Sequence, residues 1–441
     1  MLPASARTLL YAAFYLDRRD SPPSLKAVAV HRCQEAELPR LRIAFSNGST
    51  ATVHAHSTVT EESCPNRWAI RCLWWPHLLS FPVPLDPSLD PELNLTLLSH
   101  DGLLEKEVRI DDEIPADEPQ KFEGQLAVCV PPLYLYTDWL QLLQHVHIWT
   151  AGLGADKYFI YVSSVTEEVW AWLEALDAVE VVLWPDLPSL GPELRPQESV
   201  FRMASYGAIN DCLLRSAGRF KYLAAMDLDD YFVPSANQSL PALLDSLNWK
   251  NTCAYHHRNC DAYYPPNYTI PSSLKEDPDH FSFLRHIQYD KDYKAKGRAP
   301  KVVVRPYRVE TISVHTVSRA RPGFRSMRKM DHNQGRYLHL RRCATSSCPN
   351  LPAKVQPANL TFFAPFAESI TDWAEMAAAN ISPLEAPTHA DVLLAVKKCS
   401  RQMEPTRYCP TPHHLCASLL ADSRYHWAFF NQSTANFWLA L

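Results

Sequence analysis

The sequence predicts an α/β protein: a mainly parallel sheet flanked by helices, preceded by a β-rich accessory region. Three observations lead there. Between about residues 125 and 226, apolar runs of strand length alternate with amphipathic stretches of helical length, the βαβ order that builds parallel sheets. Residues 1–120 are instead rich in proline and β-formers arranged in short alternating runs. Finally, the last strand of the alternating part, 222–226, ends in three carboxylates within four residues, Asp227, Asp229 and Asp230. In an open α/β sheet, ligands collect at the carboxyl ends of strands, which is where this cluster falls.

Taken in order, residues 11–15, 41–45 and 51–55 read as strands of the first region. The acidic, proline-dotted stretch 86–118 reads as a surface connection. The main region, 121–345, opens with a strand at 126–130 and a helix at 138–151. A strand at 158–162, a helix at 167–176 and a strand at 179–183 follow. A long helix at 201–216 then leads to the strand at 222–226. Beyond Asp230 the pattern loosens into aromatic and polar loops until a strand at 301–304. The remainder, 346–441, is a cysteine-containing extension with no strong period. Trp139, Trp149, Trp170 and Trp172 fall on helical positions suited to packing, whereas Tyr263 and Tyr264 lie where a loop could present them to a sugar ring.

Composition removes several function classes. The net charge is −5, and no basic run exceeds two residues, so no nucleic-acid partner is expected. Glycine is scarce (11) beside proline (36), and neither G-x-G-x-x-G nor a P-loop is present. No G-x-S-x-G elbow marks a serine hydrolase. A glycoside hydrolase needs two carboxylates held apart across the scissile bond, and Asp227 and Asp229 are too close in sequence to be that pair. The 12 cysteines include no C-x-x-C pair, which argues against a zinc ribbon. Their even number fits disulfides, although Cys129 and Cys212 sit in apolar contexts that suit buried thiols. Asn47, Asn94, Asn237, Asn267, Asn359, Asn380 and Asn431 each begin a glycosylation acceptor, a density that favours a secretory-pathway lumen. The apolar run 9–16 ends at Arg18 and Arg19, well short of the ~20 residues that span a bilayer. Membrane association is therefore expected only through an anchor outside this chain.

Carboxylates this close repel one another, and a divalent cation with hard oxygen ligands, Mn²⁺ or Mg²⁺, removes that cost. The plain alternative is a solvated acidic turn after a buried strand.

Several motifs resemble glycosyltransferase family 92. Gly154-Ala155-Asp156-Lys157-Tyr158-Phe159-Ile160-Tyr161 is similar to its "G-V-D-x-F-Y-I-Y" strand. Asn210-Asp211-Cys212-Leu213 resembles its "N-D-C-L" helix. Asp227-Leu228-Asp229-Asp230 with Phe232-Val233-Pro234 resembles "D-x-D-E-F-x-x-P". Lys301 to Pro306, followed by Val314-His315, resembles "K-x-I-x-R-P … V-H", and His339-Leu340-Arg341 stands where the family has His-Tyr-Arg. Two departures, Asp230 for Glu and Leu340 for Tyr, leave open a catalytically weak, glycan-binding protein as the alternative function. The resemblance implies a GT-A fold, a nucleotide-sugar donor such as UDP-galactose, a glycan acceptor, Mn²⁺ and inversion. With the glycosylation acceptors it implies the Golgi lumen, behind a type II anchor. Asp227 and Asp229 then hold the metal and the donor, with His315 as a further ligand. His339 and Arg341 are candidate donor contacts. The base that inversion requires is sought among Asp261, Asp290, Asp292 and Glu310. On a strand continuing past Asp229, Asp230 would face the other way and tolerate Glu.

Overall fold

The computed structural model describes most of residues 6–341, with breaks at 65–68, 85–93, 191–194, 264–286, 291–299 and a few shorter places, and only short pieces between 355 and 441. The main element is an 11-stranded mixed sheet. Four of its strands are parallel, in the spatial order Val179–Leu183, Lys157–Val162, Gly124–Leu133 and Phe220–Ala225. All but the first are almost wholly buried on both faces, as their continuous apolar runs require. Past Phe220–Ala225 the strand Pro300–Val304 runs antiparallel, and Thr252–Tyr263 is antiparallel to that in turn. The sheet is thus parallel in one half and mostly antiparallel in the other, which corrects the mainly parallel expectation. The second half was hidden because its pairings join segments far apart in the chain.

Three of the described helices start at a side-chain cap. Asp138 accepts the Gln141 N–H at 3.0 Å to open Trp139–His147, which runs on into a wider turn at Ile148–Gly152. Thr166 caps Glu167–Ala175, and Ser239 caps Leu240–Ser246. The expected helix at 201–216 begins later, at Ser205, because Arg202, Met203 and Ala204 all adopt left-handed backbone (φ 47°, 54° and 57°). Three consecutive side-chain-bearing residues in that region cost about 1–2 kcal/mol each, so tertiary contacts hold them there. The helix ends at Ser216, two residues before Gly218 (φ +88°), where a Cβ would lie 2.4 Å from Pro115.

The N-terminal residues form two further sheets. Leu10, Leu25, Ala27, Leu41, Leu79 and Leu97 share a core between a 6-stranded and a 4-stranded sheet. The stretch 86–118 is more than a connection: it supplies the strands Asn94–Leu98, Glu105–Glu107 and Asp112–Ile114. The opposite face of the 6-stranded sheet, through Phe14, Val28 and Leu78, packs into one core with helix Ser205–Ser216 and with Phe159 and Leu223 of the large sheet. Loops were likewise expected after Asp230, where the chain forms the strand Asp230–Pro234, the helix Leu240–Ser246 and the long strand Thr252–Tyr263. From the C-terminal extension, Leu439–Ala440 joins the strand Thr8–Arg18, and Cys409 is bonded to Cys72. Cys33–Cys64 and Cys399–Cys416 are further disulfides. Cys129 and Cys212 are not separate thiols; they bond the central strand Gly124–Leu133 to helix Ser205–Ser216. No described helix is long and apolar enough to cross a membrane.

Burial sets one acid-sensitive feature. His77 is held neutral in the 6-stranded sheet, its pKa lowered to about 3 by burial and then by His31, whose ring centroid lies 5.6 Å away. A folded pKa below the unfolded value of 6.5 contributes stability that is present above that value and is lost as pH falls below it. Between pH 7.5 and 5 this one group is expected to cost about 2 kcal/mol. Thermal melts at both pH values should show the loss, and His77→Phe should reduce it.

Candidate active site

Asp227 to Asp230 form a tight turn rather than a continuing strand, closed by the Asp230 N–H donating to the Asp227 carbonyl at 3.0 Å. The turn presents Asp227 and Asp229 outward, with side chains 41% and 34% exposed, and tucks Asp230 completely inside. A cavity of about 470 Å³ opens here, at the carboxyl ends of Gly124–Leu133 and Phe220–Ala225. Asp227 and Asp229 line it with Arg202, His315, Tyr134 and Gln141. The left-handed stretch 202–204 therefore forms one wall.

Lys301 organises the carboxylates. It heads the strand Pro300–Val304, is almost wholly buried, and places its ammonium 2.6 Å from Asp227 and 2.7 Å from Asp230. Burial opposes its charge, yet the two carboxylates hold its pKa above the ordinary lysine value. Asp230 is pushed upward by burial, but Lys301 and His339 outweigh this and keep it ionised. His339 donates from Nδ1 to Asp230 at 3.0 Å and lies 3.5 Å from Asp229. Behind the turn, His145 and Trp149 both donate to the Asp230 carbonyl, at 2.8 and 3.3 Å. Asp229 differs. Burial, followed by the charge of Asp230, raises its pKa to about 6.

His315 lies across the cavity. Its Nδ1 donates to the Pro300 carbonyl at 3.0 Å, which leaves the Nε2 lone pair as the acceptor or ligand atom. Burial, then Lys301, lowers its pKa and keeps the ring neutral.

The other sequence-predicted residues are dispersed. Asp261 is buried one strand away, in register with His339, and accepts from the Tyr263 hydroxyl at 3.3 Å. Glu310 is held by Arg319 at 2.9 Å and does not line the cavity. Asp290 and Arg341 end described strands, but their side chains, like the whole of Asp292, lie outside the described residues. Trp149 and Trp172 are buried in the helical layer, as expected. Tyr263 is buried too, not presented on a loop, and Tyr264 lies outside the described residues. Among the glycosylation acceptors, Asn94 is exposed; Asn47, Asn237, Asn267, Asn359, Asn380 and Asn431 lie outside the described residues. Sequence reasoning missed Lys301 and Arg202. A lysine heading a run of valines was the available signal for Lys301, since a charge in a buried strand requires a partner. Arg202 carried no comparable mark.

Comparison with known proteins places the chain in a family. Residues 124–387, more than half of the chain and the span that contains the cavity, match glycosyltransferase family 92. Three Caenorhabditis elegans proteins named as members of that family are similar. One is 23% identical over 366 residues, covering 81% of this chain and 66% of the relative. Another is 26% identical over 181 residues, covering 39% and 34%. A third is 23% identical over 239 residues, covering 51% and 43%. The chain thus spans between about a third and two thirds of the length of these relatives. On the strength of the match across its central sheet, this chain belongs to glycosyltransferase family 92.

Proposed function

We propose that the chain is a metal-dependent inverting glycosyltransferase of GT-A type that moves a sugar, galactose by resemblance, from a UDP-sugar to a glycan in the Golgi lumen. The observation that carries the reading is the pair Asp227 and Asp229, set at the end of a central strand on a cavity walled by Arg202 and His315. Mn²⁺ fits the donor set. Oxygens of Asp229 and Asp230 and a ring nitrogen of His339 lie within 4.8 Å of one another, and carboxylate with imidazole suits that ion. Asp227 and Asp230 already share Lys301, whereas Asp229 carries a charge that its burial disfavours, so a cation is best placed against Asp229. His315 Nε2 can complete the set from the facing wall.

When bound, the cation stabilises the negative charge that develops on the departing diphosphate. The remaining work falls to the chain. Arg202, which lines the cavity, presents a guanidinium suited to phosphate oxygens. Lys301 fixes the Asp227 carboxylate through its ion pair at 2.6 Å. His145 and Trp149 hold the turn from behind, so that the carboxylates keep their spacing during turnover.

The test is release of UDP by the purified chain across a panel of donor sugars, with and without Mn²⁺. The expected result is Mn²⁺-dependent release with UDP-galactose preferred. Release with no donor in the panel would replace catalysis by glycan binding alone.

A further inference from the structure

A second cavity, about 460 Å³ in volume, lies at the opposite end of the same central strand. Lys221 and Tyr222, near the start of the strand Phe220–Ala225, form one side of it. Asp227 is five residues further on, roughly 16 Å at the ~3.3 Å rise of a strand. The walls carry four cations, Lys221, Lys250, Arg305 and Arg308, against one lining carboxylate, Asp245, with Glu118 just behind. In a chain whose net charge is −5, this is a local excess of positive charge.

Two of the cations are committed. Arg308 pairs with Glu118 at 2.9 Å and donates to the Thr252 carbonyl at 3.1 Å. Lys221 pairs with Asp245 at 2.7 Å. The other two make no hydrogen-bonded ion pair among the described residues. The Arg305 side chain is only 17% exposed, and its Nε is buried without a hydrogen bond among the described residues. Glu118, its closest described carboxylate, is 3.8 Å away, beyond hydrogen-bond reach. The guanidinium is fixed in place over the Tyr222 ring, 5.7 Å from its centroid. Lys250 is exposed at the rim and has no ion pair among the described residues. A buried guanidinium Nε–H that makes no hydrogen bond is costly unless an acceptor arrives, and the guanidinium fork matches a tetrahedral oxyanion. Arg305 also belongs to the Lys301–Pro306 motif, yet it points to this cavity and not to the one lined by Asp227.

We propose that this cavity is a second binding site, specific for a phosphate or sulfate group, with Arg305 as the buried anchor and Lys250 as the closing cation at the rim. The group is either a free ion or the ester of a sugar.

Four probes separate the sources: inorganic phosphate, inorganic sulfate, galactose 6-phosphate and galactose 6-sulfate, with galactose as the neutral control. Calorimetric titration of the whole chain should show saturable binding of at least one anionic probe and none of galactose. The bound probe should also raise the melting temperature, as any ligand of the native state does. Arg305→Gln should weaken that binding at least tenfold. Lys250→Gln, an exposed change that leaves the fold alone, should weaken it about threefold or more. Arg202→Gln, in the other cavity, should leave it unchanged. Preference for a sugar ester over the free ions would assign the site to a modified glycan, and the reverse to the ion itself. The proposal is overturned if no anionic probe saturates, if affinity survives both Arg305→Gln and Lys250→Gln, or if Arg202→Gln abolishes it.

Discussion

Asp229→Asn is expected to lower turnover by ~10²–10³ while leaving the fold intact, the range typical of removing one group that stabilises charge in a transition state. The side chain lines the cavity and is a third exposed, so the amide fits the same space. What it lacks is the charge a cation needs. In metal-free protein that charge is disfavoured by burial and by Asp230, so the melting temperature of Asp229→Asn should match or exceed that of the wild type without Mn²⁺. With Mn²⁺ present, the wild type should gain stability and the variant should not. A variant that keeps full activity, or one that unfolds, would show that Asp229 is a structural carboxylate rather than the metal's anchor.

Lys301→Ala is expected to act through the fold. It removes the single ammonium shared by Asp227 and Asp230, and Asp230 has no exposed surface through which water could replace it. Breaking a buried pair by deleting one partner typically costs ~3–5 kcal/mol, a large part of a protein's net stability. Denaturant titration should show a loss of that size, accompanied by loss of donor binding because Asp227 is released. Lys301→Met with Asp230→Asn, which removes both charges, should recover part of the stability without recovering activity. A Lys301→Ala protein as stable as the wild type would mean that water or another cation reaches Asp230. The same geometry revises the expectation for Asp230→Glu. Asp230 is completely buried against Lys301 and His339, so the extra methylene has nowhere to go, and overpacking of about 1–3 kcal/mol replaces the expected tolerance.

Much of the parallel half of the fold was legible from local pattern. The strand expected at 179–183 was found at Val179–Leu183, and the one at 158–162 at Lys157–Val162; the second is a short continuous apolar run, as a buried parallel strand must be. The position of Asp227 and Asp229 at the end of the central strand followed from the same pattern. The family followed from ordered motifs along the chain. Periodicity had no means of showing how Asp230 turns inward, because the turn is closed by a backbone hydrogen bond and by Lys301, 71 residues away in the chain.

The sequence by itself determined the order of the four parallel strands and the helices between them, from Gly124 to Ala225, the residue types available for chemistry and the family. These depend on interactions between neighbours in the chain, or on the order of motifs along it. Tertiary structure decided the rest. It set the left-handed path of Arg202 to Ala204, the Cys129–Cys212 bond, the packing of the N-terminal sheet on helix Ser205–Ser216, and the division of the carboxylates into two that line the cavity, Asp227 and Asp229, and one buried behind them, Asp230, with Lys301 shared by Asp227 and Asp230. Each joins segments whose contact energy exists only once the chain has folded, so no local pattern of residues records it.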